Sequence, residues 1–248
     1  LAEGDRVMGI LAGRGHAEYV TTQASLTVKV PAELSWTQAA AVPEAFITAN
    51  DGLEQCRTAD GETVLVHAVG SGVGLAAVQV ARLYGAHAVF GTARSADKLE
   101  RASQFDLDAA INTQEEDFAE RVAELTAKEG ADVILDLVGA SFLGQNIRAA
   151  AVKGRIVTIG LVGGLKAELN LGPVVAKRLE LRGTVLRSRS LEEKTAATRS
   201  FATRVLPALE SGQVVPVVDS VYPMAEVSEA HERMEANANF GKIILDMG

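Results

Sequence analysis

The middle of the chain alternates short apolar runs with stretches of helical spacing. Residues 61–68 (GETVLVHA) run into a glycine cluster and predict a strand, and residues 75–83 (LAAVQVARL) carry helical spacing and stop at Gly85. Residues 86–93 (AHAVFGTA) predict a second strand, followed by the polar helix ADKLERASQF. The pattern repeats with a strand at 109–112, an amphipathic helix at 117–128, the strand ADVILDLVG and a helix at 141–151. GRIVTIGLVGG supplies a fifth strand and LELRGTVLRS, from Leu179, a sixth. Strands separated by helices describe a parallel sheet covered on its faces, and six of them predict an α/β, doubly wound parallel Rossmann sheet.

The flanks have another rhythm. Residues 1–43 hold short strand-like runs (RVMGI, AEYVTT, LTVKV) between turn residues, residues 191–209 predict one long helix, and VVPVVDSVYP follows. The last stretch, AEVSEAHERMEANANFGKIILDMG, reads as a helix and then one apolar strand. Residues 1–43 and 212–248 are therefore expected to form a second, sheet-rich domain around a dinucleotide-binding domain at 44–211.

Charge and composition narrow the partners. Lys+Arg 24 against Asp+Glu 32 give a net charge of −8, and the sequence pI is near 5.1, so neither nucleic acid nor a membrane surface is expected. A chain 48% hydrophobic and 23% charged fits a folded protein rather than a disordered one. No apolar run approaches the roughly 20 residues of a membrane helix. LAEGDRVMGI lacks the basic-then-apolar order of a secretory signal, which makes a cytoplasmic setting the expectation. Cys56, the single cysteine, forms no internal disulfide and leaves no Cys-rich zinc spacing; a buried, inert thiol is expected.

The chemistry lies in the glycine cluster. Gly70, Ser71, Gly72, Val73 and Gly74 follow a strand and open a helix. Glycines let backbone N–H groups approach a diphosphate, and the helix start adds about half a positive charge. A plain tight turn is the other reading of such a string; the strand–turn–helix–strand setting within about 30 residues weighs against it. NAD sites place a carboxylate about 20 residues on, at the end of the second strand. Here that place reads Gly91, Thr92, Ala93, Arg94, Ser95, with Lys98 one turn further. Arg94, Ser95 and Lys98 would attract a 2′-phosphate, so NADPH is the expected cofactor. Solvated charges at a helix start are the alternative for Arg94 and Lys98, and Asp97 dilutes their field.

GRGHAEYV at 13–20, TQAAAVPEAFITA at 37–49, HAVGSGVGLAAVQVAR at 67–82, LDLVG at 135–139, LRSRS at 186–190 and MEANANFGKIIL at 234–245 together carry a resemblance. The chain resembles the zinc-free medium-chain reductases of the quinone oxidoreductase (zeta-crystallin-like) family, most of all their tumour-suppressor-induced branch. The resemblance implies a Rossmann domain with a partial GroES-like β-barrel domain built from both chain ends. It also implies NADPH-dependent hydride transfer to a quinone or another activated, conjugated carbonyl. Ser71, Gly72 and Val73 fall where the family holds the diphosphate, and Lys98 on its 2′-phosphate lysine. Thr48 lies on the helix reaching toward the nicotinamide; Gly160, Leu161, Val185 and Leu186 lie beside it; and Asn237 belongs to the closing segment. Relatives form dimers through the Rossmann domain, so a homodimer is expected, with VVPVV and TIGLVGG offered as interface or, equally, as interior strands.

The chain departs from the family pattern in three places. Thr113 stands where a Tyr often contacts the adenosine phosphate, and Arg94 where Gly is common. The barrel's opening segment, which bears a catalytic-site Tyr in relatives, is expected to lie outside this sequence. Zinc-dependent cousins carry a late cysteine ligand where this chain has Glu44, a residue more simply explained as a helix-start glutamate; no metal is expected. No catalytic side chain is named, because an electron-poor acceptor needs mainly proximity and orientation. Tyr19 is expected to be packed, Trp36 to anchor the linking helix, and residues 191–204 to present a solvated face. The competing functions are an enoyl-thioester or enone reductase domain and a non-catalytic NADPH-binding sensor or structural protein.

Overall fold

Apolar runs closed by a glycine or a polar residue set the strand ends, and the backbone follows that punctuation in a computed structural model describing residues 1–248. The first half comprises β1 (Val7–Gly9), β2 (Thr27–Lys29), α1 (Trp36–Ala41), α2 (Pro43–Gln55), β3 (Thr63–Val66), α3 (Gly72–Leu83), β4 (Ala88–Ala93), α4 (Ala96–Ala102), β5 (Ala109–Asn112) and α5 (Phe118–Leu125). The second half comprises β6 (Ala131–Asp136), α6 (Leu143–Ala149), β7 (Ala150–Thr158), α7 (Leu171–Lys177), β8 (Glu180–Gly183), α8 (Leu191–Arg204), α9 (Leu206–Glu210), β9 (Val218–Pro223), α10 (Val227–Glu235) and β10 (Lys242–Asp246). The chain divides into two units: unit one is Leu1–Asp51, Ser71–Ala76 and Leu186–Gly248, and unit two is Gly52–Gly70 and Ala77–Val185.

Unit two is built on a six-stranded parallel sheet in the order β5-β4-β3-β6-β7-β8. The order reverses at β3, so the strand ends of β3 and β6 form the switch point at which open α/β sheets place ligands. The central strands are apolar on both faces because both faces are covered; Val64, Leu65, Val66, Val133, Ile134 and Leu135 are fully buried. Leu65, Phe90, Ile111, Ile134 and Ile156 share a core with Phe118 and Val122 of α5 and Ile147 of α6. Helix α5 starts because the Asp117 side chain accepts from the N–H groups of Ala119 and Glu120. The end of α6 is closed by Lys177, whose Nζ donates to the carbonyls of Ile147, Arg148 and Ala150 at 3.1, 2.8 and 2.7 Å.

Unit one carries an antiparallel β1–β2 pair and a parallel β9–β10 pair. A capping box of Ser190 and Glu193 opens α8, which buries Ala197, Thr198 and Phe201 and leaves its other face to solvent. Arg189 grips Asp51 through two bonds of 2.6 and 2.7 Å.

Some expectations need correction. AEYVTT forms no strand and joins neither edge of the two-stranded β1–β2 ladder, and Tyr19 is 92% exposed rather than packed. The expected 191–209 helix breaks at Val205, since Pro207 lacks the N–H needed to continue and instead sits in the first turn of α9. TIGLVGG leaves the sheet after Thr158. Helix α7, absent from the sequence reading, starts where Asn170 accepts from Gly172 N–H.

Candidate functional site

Unit two brings six predicted residues past the ends of its parallel strands, Arg94, Ser95 and Lys98 after β4 and Gly160, Leu161 and Val185 after β7 and β8. The chain leaves β3 through His67, Ala68, Val69 and Gly70, with Ala68 in the left-handed region at φ 53°. Val69 N–H donates to the Thr92 carbonyl at 3.0 Å, tying this turn to the end of β4. A Cβ on Gly70 would sit 2.7 Å from Cδ of Lys98, so the lysine stem lies against the bare backbone of the turn. Arg94 is exposed just beyond β4, and Ser95 occupies the N-cap position of α4 without a side-chain capping bond. Thr113 is tethered to the Ala93 carbonyl through its own N–H at 3.0 Å.

On the other half of the sheet, Ile159 and Gly160 donate their N–H groups to the Asp136 carbonyl at 2.7 and 3.2 Å. Leu161 and Val185 are exposed.

Unit one holds the other predicted residues. Ser71 Oγ accepts from Gly74 N–H at 3.0 Å in the first turn of α3, and Ser71 forms a parallel bridge with Gly241. A Cβ on Gly72 would lie 2.4 Å from Cδ of Lys242, so only glycine admits that stem. Val73 is half-buried, Asn237 adopts φ 53°, Thr48 is half-buried on α2 and Leu186 is buried. The segment around Asn237 is held by Asp219, which accepts from Arg233 at 2.6 and 3.1 Å, from Phe240 N–H at 2.8 Å and from Ser220 at 2.8 Å. Burial opposes the Asp219 charge, but these donors outweigh it and hold the pKa down to about 2. Leu186, Glu44 and Lys194 also line a cavity of about 220 Å³ with Ile10, Leu11 and Arg187.

The zinc-binding dehydrogenase family profile matches residues 72–202. Quinone oxidoreductase of Rattus norvegicus is 31% identical over 247 residues, covering 98% of this chain and 73% of the relative. The chain belongs to the quinone oxidoreductase relatives of the zinc-binding dehydrogenase family. These are oxidoreductases. A mycobacterial protein solved in complex with NADPH superposes with a TM-score of 0.85 at 30% identity, covering 98% of this chain and 75% of that one. An NAD-dependent alcohol dehydrogenase superposes equally, at 0.85 and 34% identity, covering 94% of this chain and 65% of that one, so the present chain spans under two thirds of that neighbour.

The family description names zinc. No three His, Cys, Asp or Glu side chains come together. Cys56 is fully buried, and burial pushes its thiol up to about 12, far from the thiolate a metal requires. A nicotinamide cofactor's diphosphate does suit the family site, because α3 starts at Gly72 and the N–H groups of a helix's first turn favour an anion. No helix is long and apolar enough to cross a membrane.

The sequence reading missed a polar group at the switch point. Asp136 Oδ1 accepts from the N–H groups of Val138 and Gly139, each at 2.8 Å. Its Oδ2 accepts from Asn146 at 3.1 Å, and Asn146 Oδ1 meets His67 Nε2 at 2.6 Å. The available signal was a polar residue closing each apolar strand: His67 after VLV, Thr92 in FGTA and Asp136 in VILD.

Proposed function

We propose that this chain binds NADPH and serves hydride transfer to a quinone or another activated, conjugated carbonyl without zinc. The observation carrying the reading is the contact of the Lys98 stem with Gly70: the cation assigned to the 2′-phosphate lies on the turn assigned to the diphosphate. No carboxylate follows β4 at 94 or 95, where an NAD site would hold the ribose hydroxyls. Ser71, Gly72 and Val73 donate backbone N–H groups toward the diphosphate, and Arg94, Ser95 and Lys98 receive the monoester. Gly160, Leu161, Val185 and Leu186 flank the nicotinamide, while Thr48 and Asn237 orient it. Bound NADPH supplies the hydride, and the protein contributes orientation and exclusion of water.

The test is NADPH oxidation with small quinones, run on the full-length protein beside carrier-linked enoyl substrates, with NADPH and NADH binding measured in parallel. Quinone turnover with a preference for NADPH is expected. Equal affinity for both dinucleotides would contradict the phosphate assignment, turnover restricted to enoyl carriers would make it an enoyl reductase, and binding without turnover would make it a sensor.

The same reading includes a cytoplasmic setting, a GroES-like origin for the β1–β2 and β9–β10 pairs, and a second copy of the chain as partner. Val162, Leu165 and Val175 are 88, 79 and 72% exposed, and β8 is an unpaired sheet edge. Exposed apolar side chains and an open sheet edge each favour association with another chain. VVPVV is the poorer candidate, since Val214 and Pro216 are buried. A dimer by sedimentation, dissociated by Leu165→Glu, is expected; a wild-type monomer at micromolar concentration overturns the assignment.

A further inference from the structure

The buried polar group of unit two spans four neighbouring strand ends. Thr92 lies on β4, His67 follows β3, Asp136 closes β6, and the Asp136 carbonyl accepts from Ile159 and Gly160 just after β7. Those strands are adjacent in the sheet order β4-β3-β6-β7. His67, Asp136 and Asn146 are wholly buried, and Thr92 nearly so. Phe118 and Phe142 pack edge-on against the imidazole with ring centroids 4.8 and 4.9 Å away.

The donors and acceptors run in one direction. The Asn146 amide nitrogen is committed to Asp136 Oδ2, so its oxygen faces His67 and must accept. His67 Nε2 therefore carries the proton, Nδ1 is an acceptor, and the Thr92 hydroxyl donates to it across 2.8 Å. Thr92 begins the line and the Asp136 carboxyl ends it, where Oδ1 also gathers the Val138 and Gly139 N–H groups. Every loop leaving these four strands is thus tied to one line of hydrogen bonds. Ala68, one residue beyond His67, holds a left-handed conformation that persists only where its surroundings over-determine it.

Resting on the NADPH reading above, we infer that Thr92, His67, Asn146 and Asp136 are positioning residues. They hold the turn at 68–70, the end of β4 before Arg94 and the loop at 159–160 in the single arrangement that accepts the dinucleotide. They touch no substrate; they act through backbone they anchor. Loss of the line lowers the population of the binding-competent arrangement, and apparent affinity falls by that fraction.

Thr92→Val tests this, because valine keeps the shape of threonine and removes only the hydroxyl that donates to His67 Nδ1. An NADPH Kd raised roughly tenfold is expected, since an orphaned buried acceptor disfavours the ordered turn. KM for NADPH should rise more than kcat falls, and Thr92→Ser should restore both. Nitrogen-15 NMR of the full-length protein gives a readout independent of cofactor: His67 should be neutral with its proton on Nε2. A proton on Nδ1, or a Thr92→Val protein binding NADPH as tightly as wild type, overturns the positioning role alone. A wild-type protein that binds no NADPH overturns the proposed function and this role together.

Discussion

Asp136 in unit two and Asp219 in unit one perform the same local task under opposite electrostatics. Each carboxylate gathers backbone N–H groups of a turn, Val138 and Gly139 in one case and Phe240 in the other. Asp219 also holds a guanidinium, and its pKa falls to about 2 although burial opposes it. Asp136 has no cation among its partners; burial dominates its two backbone bonds and the Asn146 amide, and its pKa is raised. The same burial drives His67 down to about 4 despite the Asn146 bond that favours its charge. Unit one thus fixes its turn with a charge pair that is indifferent to acid until low pH, whereas the switch point has no cation among its partners and depends on complete hydrogen-bond pairing.

The strongest way to break this comparison is Asn146→Leu. It removes the acceptor of His67 Nε2 and a donor to Asp136 Oδ2 at once, inside a site where both residues are fully buried. A loss of about 3 kcal/mol is expected, the sum of two orphaned buried groups, measured from the urea midpoint. A loss under about 0.5 kcal/mol, the range of an ordinary surface change, would remove the contrast.

Acid titration sharpens it next. A folded pKa of about 4 against 6.5 for His67 means that the unfolded chain takes up the proton first. The stability that His67 contributes is therefore present above pH 6.5 and lost as pH falls toward 4, roughly 3 kcal/mol over that window. Asp136, with its raised pKa, works the other way: its share is full below 3.8 and lost as pH rises through the folded value. Asp219 opens a separate window, its contribution present above 3.8 and lost as pH falls through about 2. His67→Gln should flatten the upper window and leave the lower one. An unchanged profile between pH 6.5 and 4 would show that the imidazole is not neutral in the folded state.

Asp219→Asn comes third. The amide keeps an acceptor for Phe240 N–H but loses the ion pair with Arg233, which is partly exposed. About 1 kcal/mol should be lost at neutral pH, and the window below pH 3.8 should vanish. A loss as large as that of Asn146→Leu would mean that unit one depends on its charge pair as heavily as unit two depends on its buried line.

What could be read in advance follows the range of the interactions. The strand at 109–112 is legible to the residue, because its signal is local. AEYVTT misled because strand propensity does not by itself supply a ladder partner, and that run pairs with neither β1 nor β2. His67 and Asn146 are 79 residues apart, Asp219 and Phe240 21, and Asp51 and Arg189 138. No periodicity records which of many polar residues will meet across such distances. The fold was therefore far more legible than the hydrogen bonds that hold its loops.

Arg94 and Lys98 form the last and smallest step, because they separate binding from stability at the rim of unit two. Arg94 is exposed, and Lys98 is half-buried along the aliphatic stem that crosses Gly70. Alanine at either position should change folding stability by no more than about 0.5 kcal/mol. Each should weaken NADPH roughly five- to tenfold by removing a charge-assisted contact to the monoester, and leave NADH within about twofold. Measured beside Asn146→Leu, the pair distinguishes groups that meet the cofactor from groups that hold the turn beneath it. If Arg94→Ala weakens NADH as much as NADPH, the arginine supports the loop rather than the extra phosphate, and the preference for NADPH must rest on Lys98 alone.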